Sequence, residues 1–274
     1  INSGNGDITL VNIHGDGTTD TTDLDIDGTA VTVKDIGLST AKDEINGVNI
    51  TGTTVNLDGA IYTGGTGNTI DITGAVTLGG NTIIDSSTSG GAVTITGAVT
   101  GTRDLDIFSG TGLATITGNI GTGGTPLASL DINASNTAGH TGGVTLGGNI
   151  GTDAAAGSAV TTLGNPKTTG TITLSGVEYN TSDDQAFTAA AFALGGANVT
   201  FATSSDPVDF TVSAAGGGDV TLADAANLTI NTVAGNITFG GDILGTDNGE
   251  STSVTLNTTG TVSVKSIGAD GSTC

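Results

Sequence analysis

Short triplets of apolar, polar and apolar residues recur along the whole chain. In the first third they read Leu24-Asp25-Ile26, Val31-Thr32-Val33, Val48-Asn49-Ile50, Val55-Asn56-Leu57, Ile70-Asp71-Ile72 and Val76-Thr77-Leu78. A period of two sends one set of side chains inward and the other to water, which predicts strands of about three to five residues. The pattern is plainest between Leu228 and Ile243, where Leu228-Thr229-Ile230 and Ile237-Thr238-Phe239 flank a turn at Gly235-Asn236.

Pairs of such strands return about every 20 to 30 residues, the spacing of a solenoid. ITGAVT at Ile72–Thr77 returns unchanged at Ile95–Thr100, an offset of 23 residues. A hairpin meander would need tight turns between longer strands, whereas here one motif recurs in one direction, so parallel stacking of coil on coil follows. The expected fold is an all-β parallel β-solenoid of roughly 11 or 12 coils, a single elongated body over residues 1–274. At about 4.8 Å per coil it makes a rod of about 50 to 60 Å. Ile26, Ile50, Ile72, Ile95, Ile107 and Ile132 form its inward ladder. Looser coils or loop insertions are expected near 154–198, with Pro166 and Lys167 in a protruding loop. Within that stretch Gln185–Leu194 (QAFTAAAFAL) has alanine enough for a helical turn, but Phe187, Phe192 and Leu194 suit a wider coil, the preferred reading.

Composition narrows this picture. With 48 Gly and 3% aromatic residues, the chain can fill only a narrow core of Val, Ile and Leu. Twenty-seven acidic residues against five basic ones give a net charge of −22, a field that repels phosphate backbones and anionic membranes and excludes nucleic-acid partners. No apolar run is long enough for membrane insertion. Cys274 is the sole cysteine, so no internal disulfide forms.

Aligned coils turn positions into surface columns. One column runs Asp25, Asn49, Asp71, Thr94, Asp106, Asp131, and Asp106 and Asp131 would stand about 5 Å apart, repelling by about 1 kcal/mol in water. A cation could relieve that, but a solvated acidic face is the favoured reading. Asp23-Leu24-Asp25-Ile26-Asp27-Gly28 imitates the start of a calcium loop, yet Lys34 holds the twelfth position, where a bidentate Glu is needed. Asp23, Asp25, Asp27, Asp106 and Asp131 are thus weak calcium candidates, and no other cofactor is expected. The second column is a threonine rank: Thr32, Asn56, Thr77, Thr115, Thr145, Thr173, Thr200, Thr221, Thr238, Ser263. Hydroxyl pairing between coils explains it, with ice binding a remote alternative.

Catalysis by a solenoid would need clustered carboxylates beside a base or across a cleft. Arg103 with Asp104 and Asp106 is the one candidate, and it reads more simply as a surface ion pair. His14 and His140 sit in glycine-rich turns and are expected to face solvent. Tyr62 and Tyr179 are the only tyrosines, and Trp is absent, so a sugar platform is not expected.

The phrases LTINTVAGNITFGGDI, SLDINASNTAGHTGGVTLGGNIG and SVTLNTTGTVSVKSIGADG resemble the repeat regions of filamentous-haemagglutinin-like exoproteins and related β-strand-repeat adhesins of Gram-negative bacteria. The resemblance implies a secreted right-handed parallel β-helix at the bacterial cell surface, a non-enzymatic adhesin stalk, filament or biofilm component. The secretion domain of that group, with its NPNG-type motif, is absent from this sequence, which suggests an interior segment or a divergent protein, and the rod is expected to be a segment or subunit of a larger extracellular assembly. Expected partners are further coils of a longer chain or a second copy stacked end to end, since neither Ile1–Leu10 nor Val262–Cys274 reads as a cap, together with host or surface glycans. A polysaccharide lyase or glycosidase is the alternative function.

Overall fold

The computed structural model describes residues 1–14, 22–37, 45–133, 140–151, 162–164, 168–203, 208–212, 218–246 and 252–268. Each regular element among them is a strand, and neighbouring strands pair in parallel. The chain winds as a β-solenoid with three faces.

Register traces each face. The first passes through Leu24, Val48, Ile70, Val93, Ala114, Val144, Ile172, Phe192, Val220, Ile243 and Ile267. The second passes through Ile8, Val31, Val55, Val76, Val99, Ile120, Ile150, Tyr179, Phe201, Ile230 and Leu256. The third is a nine-stranded sheet from Ala60–Tyr62 to Val262–Ser263, and the bridges Ile13↔Ile36 and Ile36↔Ile61 carry it two coils further. Coil length runs from 20 residues, Ile172 to Phe192, to 33, Leu130 to Leu163. The literal repeat stacks on itself: Ile72 pairs with Ile95 and Val76 with Val99.

The inward residues make one continuous core. Ile26, Ile50, Ile72, Ile95, Ile107 and Ile132 are all buried, as the alternation requires, but they belong to two ladders rather than one. Ile26, Ile50, Ile72 and Ile95 stack on the first face, while Ile107 and Ile132 stack on the third. An isoleucine in an apolar–polar–apolar triplet is equally at home on any face, so pattern alone could not separate them. Burying such a side chain contributes about 1.5 to 3 kcal/mol, and repetition along the axis makes this the dominant stabilising term.

Glycine forms the corner between the first two faces. The strands Thr22–Val33, Ile45–Leu57 and Ile70–Leu78 bend through Gly28, Gly52 and Gly74; the first two stay in register through the corner, with Gly28 on Gly52, while the pairing of the second and third shifts by one residue between Thr51 and Thr54. In later coils the bend separates two strands, as with Val93–Thr96 and Val99–Thr100 around Gly97. Gly97 has φ of 138°, and a Cβ there would stand 2.0 Å from the carbonyl oxygen of Gly74. The corner is narrow because successive peptide planes lie directly on one another, which only glycine permits.

Between Gln185 and Leu194 the chain forms two strands, Gln185–Ala189 and Ala191–Leu194, with no helical turn. The wider coils there are filled by aromatics. Tyr179 stacks on Phe201 at 4.8 Å between ring centroids, and Phe187 meets Phe201 edge-on at 5.8 Å. Pro166 and Lys167 lie outside the described residues.

Candidate functional surfaces

Asp23, Asp25 and Asp27 lie on one strand, Thr22–Val33, and all three are exposed. Alternate residues on a strand are about 6.6 Å apart, so these carboxylates line up rather than wrap around a point. Calcium needs six to eight oxygens at about 2.3–2.6 Å. Asp25, Asn49 and Asp71 stand in register on successive coils, as the column alignment requires. With Asp23, Asn68 and Thr69 they edge an open groove of about 270 Å3. Its acids already serve as acceptors: Asp23 Oδ1 takes the Gly47 N–H at 3.1 Å, and Asp71 Oδ2 takes the Thr69 hydroxyl at 2.9 Å. Asp27 Oδ2 likewise accepts from Asn2 Nδ2 at 2.9 Å. Among the described residues no three His, Cys, Asp or Glu side chains converge as metal ligands.

Asp106 and Asp131 pair across adjacent coils, as expected, but on the third face. They therefore do not continue the Asp25, Asn49, Asp71 column, whose next members are Thr94 and Thr115. Burial raises the Asp106 pKa above its ordinary value, and the nearby Asp104 charge adds to the effect. Asp104 itself accepts the Ser129 hydroxyl at 2.7 Å. Arg103 is exposed, and the ion pair among the described residues is instead Lys265–Asp242 at 3.2 Å. The Asp242 pKa is lowered chiefly by the Ser266 hydroxyl at 2.6 Å and then by Lys265.

The threonine rank divides in the same way. Thr32, Asn56 and Thr77 stack on the second face; Thr115, Thr145 and Thr173 on the first; Thr238 and Ser263 on the third. Thr200 stacks on Thr229, also on the second face. The hydroxyls are thus dispersed around the rod.

The histidines separate too. His14 is exposed, whereas His140 is 4% exposed and its carbonyl accepts from the Thr169 N–H at 2.7 Å and its hydroxyl at 3.1 Å. The glycine-rich sequence around His140 marks a corner that the next coil covers, not a projecting turn. Tyr179 is fully buried, and its phenol oxygen accepts the Gly176 N–H at 2.9 Å. Burial pushes its pKa up.

A device that sequence reading missed is the use of Asp and Asn as acceptors between coils. Asp35 Oδ1 takes the Ala60 N–H at 3.0 Å, Asn119 Oδ1 the Asn149 N–H at 2.9 Å, Asp219 Oδ1 the Asp242 N–H at 2.9 Å and Asn236 Oδ1 the Thr261 N–H at 2.9 Å. At the start of a strand or bridge, the side-chain oxygen satisfies an amide of the next coil that the ladder leaves unpaired. Part of the acidic composition is therefore structural.

A second groove, of about 540 Å3, runs along the corner after the second face and crosses three coils. Its walls include Ala202, Asn231, Thr232, Val233, Asn257 and Thr258, and none of the described residues that line it is charged. The signal that could have revealed it is a repeated ending: Tyr179-Asn180-Thr181, Phe201-Ala202-Thr203, Ile230-Asn231-Thr232 and Leu256-Asn257-Thr258 close four successive coils.

Comparison with protein-family models, curated proteins and solved structures finds no match.

Proposed function

We propose that this chain is a non-enzymatic structural rod, an adhesin stalk or filament component of a bacterial cell surface. The observation that carries the reading is the continuous parallel stacking of coil on coil along three faces, which persists through coils of very different length. A solenoid of this kind resists bending because each coil is hydrogen-bonded and packed to its neighbours, and it adds length without adding width. The acidic surface keeps such rods apart laterally. The adhesin resemblance noted in the repeats supports the same placement outside the cell.

Further coils, of the same chain or of a second copy, stack along the axis in this reading. Val254-Thr255-Leu256, on the last coil described, offers the same triplet that pairs elsewhere in Val144-Thr145-Leu146 on Ile172-Thr173-Leu174. Electron microscopy of the purified protein is the test. Thin rods, alone or joined end to end, are expected; compact particles would overturn the proposal.

A polysaccharide-active enzyme is the second reading, favoured by the in-register Asp106 and Asp131 and by the raised pKa of Asp106, a property of general acids. Both carboxylates stand on the same strip of sheet instead of flanking a cleft, which is why the rod is preferred. Turnover of an acidic polysaccharide, lost on Asp106→Asn, would reverse that preference.

A further inference from the structure

The uncharged groove contains a gap in an asparagine ladder. Asn180, Ala202, Asn231 and Asn257 occupy equivalent positions on successive coils. Asn257 Nδ2 donates to Asn231 Oδ1 at 2.7 Å, the amide-to-amide contact that stacked asparagines make. A carboxamide is planar with its oxygen and nitrogen on opposite sides, so Asn231 Nδ2 is turned toward the Ala202 coil, where a methyl group stands in place of an amide. The coil spacing of about 4.8 Å leaves room there for one amide-sized group.

The remaining polar atoms of the groove are mostly acceptors. The Thr259 hydroxyl donates to the Val233 carbonyl at 2.9 Å and keeps its lone pairs for a ligand, whereas the Thr258 hydroxyl, which donates to the Gly235 carbonyl at 2.6 Å, already accepts the Gly260 N–H at 2.8 Å. Asn257 Oδ1 is an acceptor as well. Val233, 64% exposed, and Leu256 supply an apolar floor. An occupant that complements these described groups brings one amide carbonyl and several hydroxyl donors.

We infer that this groove binds an N-acetylated amino sugar. Its acetamido carbonyl accepts from Asn231 Nδ2 in the gap over Ala202, its methyl packs on Ala202, and its hydroxyls donate to Asn257 Oδ1 and Thr259 Oγ1. The inference goes beyond the rod reading and fails separately from it, because microscopy reports on the rod whether or not a sugar binds.

The test is titration by 1H–15N NMR with a β-1,4-linked N-acetylglucosamine trimer, against the glucose trimer that lacks only the acetamido groups, and against an asparagine-containing tripeptide. Binding of the N-acetylated trimer is expected with a dissociation constant on the order of 1 mM, the strength of a few hydrogen bonds without an aromatic platform. The glucose trimer should bind about tenfold more weakly, the cost of one unmade hydrogen bond. Ala202→Asn, which fills the gap from the protein side, and Asn231→Ala, which removes the donor, should each weaken binding about tenfold, while circular dichroism and melting temperature remain those of the parent. Equal binding of the two trimers, an unchanged affinity in folded Ala202→Asn, or no shifts at about 10 mM ligand would overturn the inference. Tighter binding of the tripeptide would overturn it in favour of a protein partner.

Discussion

Gly97→Ala tests the reasoning about the corner most directly, because it combines two separable costs. The first is conformational: φ of 138° lies where L-residues are disfavoured by about 1–3 kcal/mol. The second is steric, since the new methyl would stand 2.0 Å from the Gly74 carbonyl oxygen, a backbone atom fixed by its own coil. Forcing a methylene-sized group into such a contact costs about 1–3 kcal/mol more. Two other glycines isolate the contributions. Gly123 has φ of 74° with nothing within 4 Å of an added Cβ, so Gly123→Ala should cost about 1 kcal/mol. Gly118 is outside the positive-φ set but would meet the Gly97 carbonyl oxygen at 2.1 Å, so Gly118→Ala carries the steric part alone, about 2 kcal/mol. Urea unfolding followed by circular dichroism should rank the losses Gly97 above Gly118 above Gly123, with Gly97→Ala losing about 4 kcal/mol. If Gly97→Ala and Gly123→Ala differ by less than about 0.5 kcal/mol, the corner is not the close-packed backbone stack inferred here.

Three further outcomes follow from other parts of the solenoid. Ile107→Asp places a carboxylate between two coils at a fully buried position and should lower stability by several kcal/mol, read as a lower urea midpoint; an unchanged midpoint would reject its inward placement. Asp35→Ala leaves the Ala60 N–H without its acceptor and should cost about 1–2 kcal/mol in the same assay, whereas Asp35→Asn keeps an acceptor oxygen and should recover most of it; equal losses would argue that charge, not hydrogen bonding, matters there. Because the native pKa of Asp106 is raised above 3.8, the folded protein holds this proton more tightly than the unfolded chain, so its contribution to stability is greatest at low pH and declines as pH rises through the native value. Asp106→Asn should therefore be more stable than the parent at neutral pH and flatten that part of the pH profile, and a parent-like profile would contradict the desolvation argument.

Alternation by twos is a local property, and it determined much here. It placed Ile26, Ile72 and Ile107 inside and Asp25, Thr77 and Asp106 outside, because a strand residue has only two directions to point. The repeated ITGAVT fixed the stacking of its two coils, since identical segments pair best in identical register. Local pattern could not say which of three faces a triplet occupies. Leu24-Asp25-Ile26 and Leu105-Asp106-Ile107 are the same string, yet one stacks under Val48-Asn49-Ile50 and the other under Leu130-Asp131-Ile132. That choice depends on how many residues each corner consumes and where glycine lets the backbone turn, and it is settled only when a coil meets the one before it. The same meeting buried His140, scattered the threonines around the rod, and left Ala202 beneath Asn231 as a gap in a ladder. Each of these is a relation between residues about 20 to 30 positions apart, brought together because parallel strands must pair in register to satisfy their backbone amides and carbonyls.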